Sequence, residues 1–350
     1  MFINYILTIA IPVYNGEKTL KKTLENIIDQ YEEGLEIILS DDDSEDGTYD
    51  IVLEFSKNYD FVKAYKNEKN LGMDGNFLKS ASLANGEYVW FFGQDDLMRQ
   101  GTIKKVLTIL DDKSIGIVYI NYDQFDHDMK NILTKSYIDV YSKLDKDLVL
   151  DKDFCFKDSS EYFKYFYDLP SFLPATITRS KFWHCTDLSP FFGTNYIQVA
   201  LMYLNMNKGS IYVITQPMIK GRIPDDKWQF DGRSHFNVLT GFLKMQKISL
   251  QNEYCKLPKE VYLKQRKEYL LNYFFFITLC KNRGLSLKKE QTDLLNFVFD
   301  DTKLLYLYIL PVIFLPLPLL NFFNLILYPL KQLLIKAGFK KLINRNTHKK

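Results

Sequence analysis

The sequence predicts an α/β fold, a mostly parallel sheet with helices on both faces, and three observations predict it. Short β-rich apolar runs alternate with helix-spaced apolar residues over the first 120 positions. Strands alternating with helices imply parallel pairing through right-handed crossovers. The polar clusters follow the predicted strands, at the carboxyl ends where open α/β sheets bind ligands. Composition agrees: 47% hydrophobic and 25% charged residues among 350 is ordinary globular usage, which supports a packed core.

Taken in order, Ile6 to Ile11 is a β-rich run that Pro12 is expected to close, and Leu20, Leu24, Ile27 and Ile28 share a helix face. Glu36 to Ser40 is the second strand, followed by Thr48, Ile51, Val52 and Phe55 on a helix. Phe61 to Tyr65 is the third, with a helix through Phe77 to Leu83. Tyr88 to Phe92 is apolar on both faces and is expected to be central. A helix near Ile103 to Leu110 precedes a strand at Gly116 to Ile120. Asn121 to Pro174 has no clean period and reads as loops with short helices and strands. A strand-like run at Ala175 to Thr178 and a mixed segment to about Pro224 follow, and residues 232–302 read as mainly helical. The expected domains are therefore 1–230, divided into halves 1–120 and 121–230, a helical region 231–302, and an apolar, proline-broken segment 303–350 with a basic tail.

Several function classes lose support. A net charge of +2 gives no bulk case for nucleic acid. Cys155, Cys185, Cys255 and Cys280 form no CxxC pair and have no histidine at zinc-ligand spacing, which fits reduced thiols in a cytosolic compartment. MFINYILTIAIP is apolar but lacks the charged start and cleavage site of a signal peptide, and reads as the first strand. Neither G-x-G-x-x-G nor a Walker loop is present.

Four strand ends carry the chemistry. IPVYNGEKTL turns at Asn15-Gly16 and exposes backbone groups, or is an ordinary turn with Glu17 in the first helical turn. SDDDSEDGT packs five acids together, a repulsion that cations or hydrogen-bond donors would offset. Its plainer reading is a solvated loop in which Ser44 or Asp46 caps the next helix. NEKNLGMDGNF, with Asn70, Gly72 and Asn76, allows positive φ and close approach of backbone to a ligand, or is a plain loop. WFFGQDD aims Asp95 and Asp96 off the carboxyl end of the fourth strand. Carboxylates completed by diphosphate oxygens and water are what Mg²⁺ or Mn²⁺ prefers, and an N-cap is the bland alternative. All four clusters standing at consecutive strand ends outweighs any one of them.

LTIAIPVYNGEKTL, EIILSDDDSEDGT, KNLGMDGNF and GEYVWFFGQDD together resemble glycosyltransferase family 2, the GT-A fold, over about the first 100 residues. The resemblance implies a nucleotide-sugar-binding half at 1–120 and an acceptor half at 121–230. It places Pro12, Tyr14 and Glu17 around the base and ribose, Asp41 as acceptor from the nucleobase with Asp42 close by, and Asn70 and Gly72 lining the nucleotide pocket. Asp95 takes the position of the last acid of the family's D-x-D motif, which holds Mg²⁺ or Mn²⁺ on the diphosphate, with Asp96 beside it. The chain departs from the family twice. The first D-x-D acid falls on Gly93, a variant similar to transferases of O-antigen type. Where the family carries a Glu-Asp pair at a helix start, with the carboxylate as base, SPFFGTNYIQVALMYL has Thr194 and Asn195. An amide is no general base. Asp187, or Asp225 and Asp226, are the candidates to replace it, each also readable as a loop or cap residue. Arg222 is a candidate to neutralise the diphosphate, or a surface residue.

From Leu304 to Leu330 there is no charged residue, but Pro311, Pro316, Pro318 and Pro329 interrupt any helix and a basic cluster follows. That suits a monotopic anchor on an anionic leaflet; a span, a re-entrant hairpin and an oligomer-forming element are the other readings. The expected activity is inverting transfer from a nucleotide-sugar to a lipid-linked glycan, at the cytoplasmic face of the plasma membrane, in surface polysaccharide synthesis. Its rivals are a membrane-tethered sugar-nucleotide binder without activity, and a nucleotidyltransferase, whose glycine- and basic-rich loop after strand one is missing.

Overall fold

The computed structural model describes residues 5–142, 152–223, 232–267, 277, 281, 289–299, 315, 316, 318, 319, 321 and 322. Asp225, Asp226 and most of the 303–350 segment lie outside them. The chain divides into two compact units, Met1–Ile223 with Asn252–Lys256, and Pro224–Gln251 with Leu257–Lys350.

The first unit is built on one sheet. Its strands are β1 (Leu7–Val13), β2 (Leu35–Asp41), β3 (Val62–Lys66), β4 (Tyr88–Phe91), β5 (Leu97–Met98), β6 (Ile115–Phe125), β7 (Ile132–Thr134), β8 (Phe154–Phe156), β9 (Thr176–Arg179) and β10 (Ser210–Arg222). The order is β3-β2-β1-β4-β9-β6-β10-β5, with β7 on β6 and β8 on β10. The first four strands pair in parallel, as the alternation of strand and helix predicts. β4 is flanked by β1 and β9 and is buried along its length, the central position its sequence predicts. β9 runs antiparallel between β4 and β6, so the sheet is mixed.

Helices α1 (Leu20–Ile28), α2 (Thr48–Asn58), α3 (Gly72–Leu83) and α4 (Thr102–Leu110) follow the expected apolar spacing. Leu20, Leu24 and Ile27 bury one face of α1, and Ile103, Val106 and Leu110 one face of α4. α3 begins five residues before its apolar pattern, because Gly72, Asp74 and Gly75 carry no apolar signal. The second half adds α5 (Tyr137–Tyr141), α6 (Ser159–Tyr165), α7 (Ser180–Cys185) and α8 (Ile197–Asn205).

Two sequence expectations are corrected. Pro12 does not close β1, which runs to Val13 paired with Asp41 of β2. Pairing with β4 stops at Ala10, so the missing N–H of Pro12 falls where no ladder bond is needed. The mixed segment before Pro224 holds β10, thirteen residues long, whose register shifts between Ile214 and Ile219 around Pro217. That bulge erases the period-two signal.

Glu36, the second residue of β2, is fully buried yet satisfied. It accepts hydrogen bonds from the Thr8 hydroxyl, both nitrogens of Asn85 and the Gly86 N–H. A Cβ on Gly86 would lie 2.6 Å from the Thr8 nitrogen, so only glycine admits this approach. The second unit contains α-helices at Gly232–Leu250 and Lys289–Phe299, tied through Lys247 Nζ to the Phe297 carbonyl at 2.6 Å. Among the described residues no helix is long and apolar enough to cross a membrane.

β6 and β10 meet at Gly116 and Gly209, where a Cβ on Gly209 would lie 2.7 Å from the Gly116 nitrogen. Gly209→Ala is expected to destabilise the chain by about 1–3 kcal/mol, measured as a lower midpoint in urea unfolding at constant m-value.

Candidate active site

The loops after β1, β2, β3 and β4 meet at the carboxyl end of the sheet. Their side chains are held chiefly by backbone groups of the neighbouring loop. After β1, Tyr14 is 43% exposed and its backbone is bracketed by the Gln94 amide, N–H to Oε1 at 2.9 Å and Nε2 to the carbonyl at 3.0 Å. A Cβ on Gly16 would strike that same amide at 2.5 Å. Gly16 N–H donates to Thr48 Oγ1 at 2.7 Å, and Glu17 accepts Gly47 N–H at 3.3 Å, so the β1 loop is laced to the start of α2. Asp46 accepts Thr48 N–H at 3.0 Å, but the N-cap of α2 is Gly47, which has no capping side chain, so neither Ser44 nor Asp46 fills the capping role their sequence positions suggest.

The two first acids of the β2 cluster are both buried. Asp41 accepts the Ser44 N–H at 3.1 Å and its hydroxyl at 2.6 Å. Asp42 accepts Leu71 N–H at 2.8 Å, Gly72 N–H at 3.0 Å and Asn67 Nδ2 at 2.9 Å. Asn70 Oδ1 also takes the Gly72 N–H, at 2.9 Å. Asp42, Asn70 and Gly72 are thus brought together at the start of α3. Asn76 completes a buried network with Ser40 and Asn67.

The β4 loop is the most constrained. Thr23 of α1 donates to the carbonyls of Gln94 and Asp96, and Asn26 exchanges two hydrogen bonds with the Met98 backbone. Asp96 turns back over its own loop. A Cβ on Gly93 would overlap Asp96 Oδ2 and lie 3.2 Å from Asp95 Oδ1, so the carboxylates converge on the space that glycine leaves. Arg222, at the end of β10, closes the loop: its N–H donates to Asp96 Oδ1 at 2.8 Å, its Nε to the Asp95 carbonyl at 2.9 Å, and its terminal nitrogen to the His127 carbonyl. Asp95, Asp96 and Arg222 therefore share one site.

Burial pushes both carboxyls up, Asp96 well above the ordinary range and further raised by the charge of Asp95. The Arg222 guanidinium opposes the rise at Asp95. A pair of carboxylates that disfavour their charged forms is what a cation would stabilise. Among the described residues no third His, Cys, Asp or Glu joins them, so any metal here takes its remaining ligands from substrate and water.

At the start of α8, Thr194 and Asn195 lie just before the helix, as the sequence predicts, and Thr194 is buried with its hydroxyl donating to the Phe191 carbonyl at 2.7 Å. Asp187 sits in an exposed loop, where the Ser189 hydroxyl and then the Ser189 N–H, at 3.0 Å, lower its pKa, the loop-cap reading. Asp74 is the residue the sequence does not single out. Its Oδ2 accepts Gly193 N–H at 2.8 Å and Asn195 N–H at 3.0 Å, tying α3 to the start of α8. Gln94, Thr23 and Asn26 are likewise missed, since an amide or hydroxyl that braces a distant loop leaves no pattern in its own segment.

Residues 8–166 match the family described as Glycosyl transferase family 2. The chain is 27% identical over 281 residues to the abequosyltransferase RfbV of Salmonella typhimurium, covering 76% of this chain and 80% of that one. It is 26% identical over 281 residues to the GalNAc(5)-diNAcBac-PP-undecaprenol β-1,3-glucosyltransferase of Campylobacter jejuni, covering 79% and 84%. S. aureus TarS 1–349 in complex with UDP-GlcNAc shares the fold at a TM-score of 0.55 and 17% identity, covering 84% of this chain and 81% of that one. The mannosyltransferase PcManGT of Pyrobaculum calidifontis, solved with GDP-Man and Mn²⁺, does so at 0.52 and 14%, covering 99% and 89%. The fold is GT-A.

Gly93→Ala is expected to expel the Asp96 carboxylate and break its bond to Arg222. The cost should be about 1–3 kcal/mol, read as a lowered melting temperature that Asp96→Ala in the same chain largely restores.

Proposed function

Because residues 8–166 are a glycosyl transferase family 2 domain, we propose that this chain is an inverting glycosyltransferase. It moves a sugar from a nucleoside-diphosphate donor to a hydroxyl of a lipid-linked glycan in bacterial surface polysaccharide synthesis. The observation that carries this is the convergence of Asp95 and Asp96 on Gly93, beside Arg222, at the carboxyl end of β4. Relatives named for abequosyl transfer and for an undecaprenyl-diphosphate acceptor support the substrate class.

In this reading Tyr14, exposed at the end of β1, offers its ring to the nucleobase, with Pro12, Glu17 and Asp41 shaping that side. Asp42 holds Asn70 and Gly72 in place at the sugar-nucleotide pocket. Asp95, with Asp96, would hold Mg²⁺ or Mn²⁺, which supplies Lewis-acid stabilisation of the leaving diphosphate. Arg222 adds fixed positive charge to the same end. The acceptor oxygen bonds to the anomeric carbon as the bond from that carbon to the diphosphate oxygen breaks. The electron pair leaves with the diphosphate, and the acceptor proton passes to a base. Holding donor and acceptor in line supplies much of the rate.

The apolar segment from Leu304 with its basic end supports a place on the cytoplasmic face of the membrane, where a lipid-linked acceptor is met in two dimensions.

Thermal-shift screening of nucleotide-sugars with and without Mn²⁺ tests the donor class, since a ligand that binds only the native chain raises its apparent stability. Asp95→Asn is expected to weaken Mn²⁺-dependent donor binding by at least about tenfold, roughly 1.4 kcal/mol, while the weak binding without metal does not fall, since a charge that repels the diphosphate is removed. Undiminished transfer by that variant would sink the site assignment. A chain ending at Asp301 should bind anionic liposomes less than the full chain does; equal binding would dispose of the anchor.

A further inference from the structure

We propose that Asp74 is the general base of the transfer, an assignment that rests on the glycosyl-transfer reading above. At the start of α8 this chain has Thr194 and Asn195, and neither side chain takes up a proton in the working pH range. A carboxylate is nevertheless present at that helix start, supplied by α3. Asp74 Oδ2 accepts Gly193 N–H at 2.8 Å and Asn195 N–H at 3.0 Å. Both residues adopt positive φ, 76° and 63°, in a short loop whose N–H groups converge on an anion.

The other oxygen carries the inference. Asp74 is 4% exposed, and its Oδ1 is buried without a hydrogen-bond partner among the described residues. A tether between α3 and the α8 loop needs only Oδ2. Leaving a buried acceptor unpaired costs about 1–3 kcal/mol, and an unpaired carboxylate oxygen is what a base offers to a hydroxyl. Burial pushes the Asp74 carboxyl up against the pull of the Asn195, Gly193, Thr194 and Ile197 N–H groups. Asp187 has the opposite character, exposed and less basic than usual.

Position agrees with role. Asp74 lies in the first turn of α3, whose leading N–H groups are held by Asp42 on the nucleotide side. Met73 on α3 and Phe192 on the loop are 49% and 46% exposed and flank Asp74 and its partner loop. In this proposal an acceptor seated against them brings its hydroxyl to Oδ1. The hydroxyl proton passes to Oδ1 as the acceptor oxygen bonds to the anomeric carbon. The bond to the diphosphate breaks with its electron pair leaving on the diphosphate, and Asp74 then returns the proton to water.

Asp74→Asn separates base from tether, because the amide oxygen can accept both N–H groups but takes no proton. The full chain is assayed for nucleotide release with the donor found by thermal shift, Mn²⁺, and an extract of undecaprenyl-diphosphate-linked glycans as acceptor. Asp74→Asn is expected to bind donor like the wild type and to lose at least about 100-fold in kcat, within the span of general-base catalysis. A smaller loss overturns the assignment and leaves the transfer reading standing. Wild-type protein that releases no nucleotide from any donor overturns the transfer reading, and the base with it. Should Asp74→Asn not fold, the wild-type pH profile decides. A base must be ionised, so activity falls as pH drops through its pKa. With Mn²⁺ at saturation, which holds Asp95 and Asp96 ionised, a limb above the ordinary carboxylate range supports Asp74, and one within that range overturns it.

Discussion

The empty side-chain position at Gly93 lets the Asp96 carboxylate fold back over its own loop, and the surrounding loops are arranged around that turn. A second carboxylate buried beside Asp95 would be costly in isolation. It persists because Arg222, 126 residues away, supplies its backbone N–H and a guanidinium, and because Thr23, 73 residues before, pins the carbonyl of the same residue. A departure from the family pattern at one position thus has its compensation on α1 and β10. Gly93 is the condition under which two adjacent carboxylates fit, rather than a lost acid.

The same logic governs the other loops. Asp42 and Asp74 satisfy backbone N–H groups of another loop, and Asp41 and Asp46 do so chiefly within their own. Bonds from an ionised carboxylate to N–H are stronger than neutral ones, so a cluster that looks self-repelling in sequence becomes the wiring between strand ends. The five-acid loop therefore answers to one of its readings. Asp41 and Asp42 are offset by donors, while the N-cap of α2 is Gly47, without a capping side chain.

Much of this was legible in the sequence because it is local. Apart from the two-residue β5, the strand and helix order through α4, the central place of β4 and the position of GQDD at a strand end all follow from periodicity and from charge at strand ends. What stayed hidden is long-range. β9 enters the sheet antiparallel between β4 and β6, and four residues of apolar alternation cannot declare their partners. β10 is masked by the bulge around Pro217. Asp74 stands in a glycine-rich turn that reads as a plain loop, and its partners are 119 and 121 residues later. Arg222 was visible as a candidate, but its bonds to Asp95 and Asp96 depend on how β10 ends.

Charge balance argues for a metal in the proposed reaction. The amino end of α3 is a natural anion site, but Asp42 already takes its leading N–H groups. The α8 loop is taken by Asp74 in the same way. A nucleotide diphosphate must therefore be neutralised at the β4 loop, where two carboxylates face one guanidinium. That set is net negative and repels a diphosphate until a divalent cation reverses the sign. The raised pKa values of Asp95 and Asp96 are the same deficit seen without the cation, since protonation is the other way to discharge the pair. Donor binding and metal binding should accordingly be mutually dependent, each supplying the charge that the other requires.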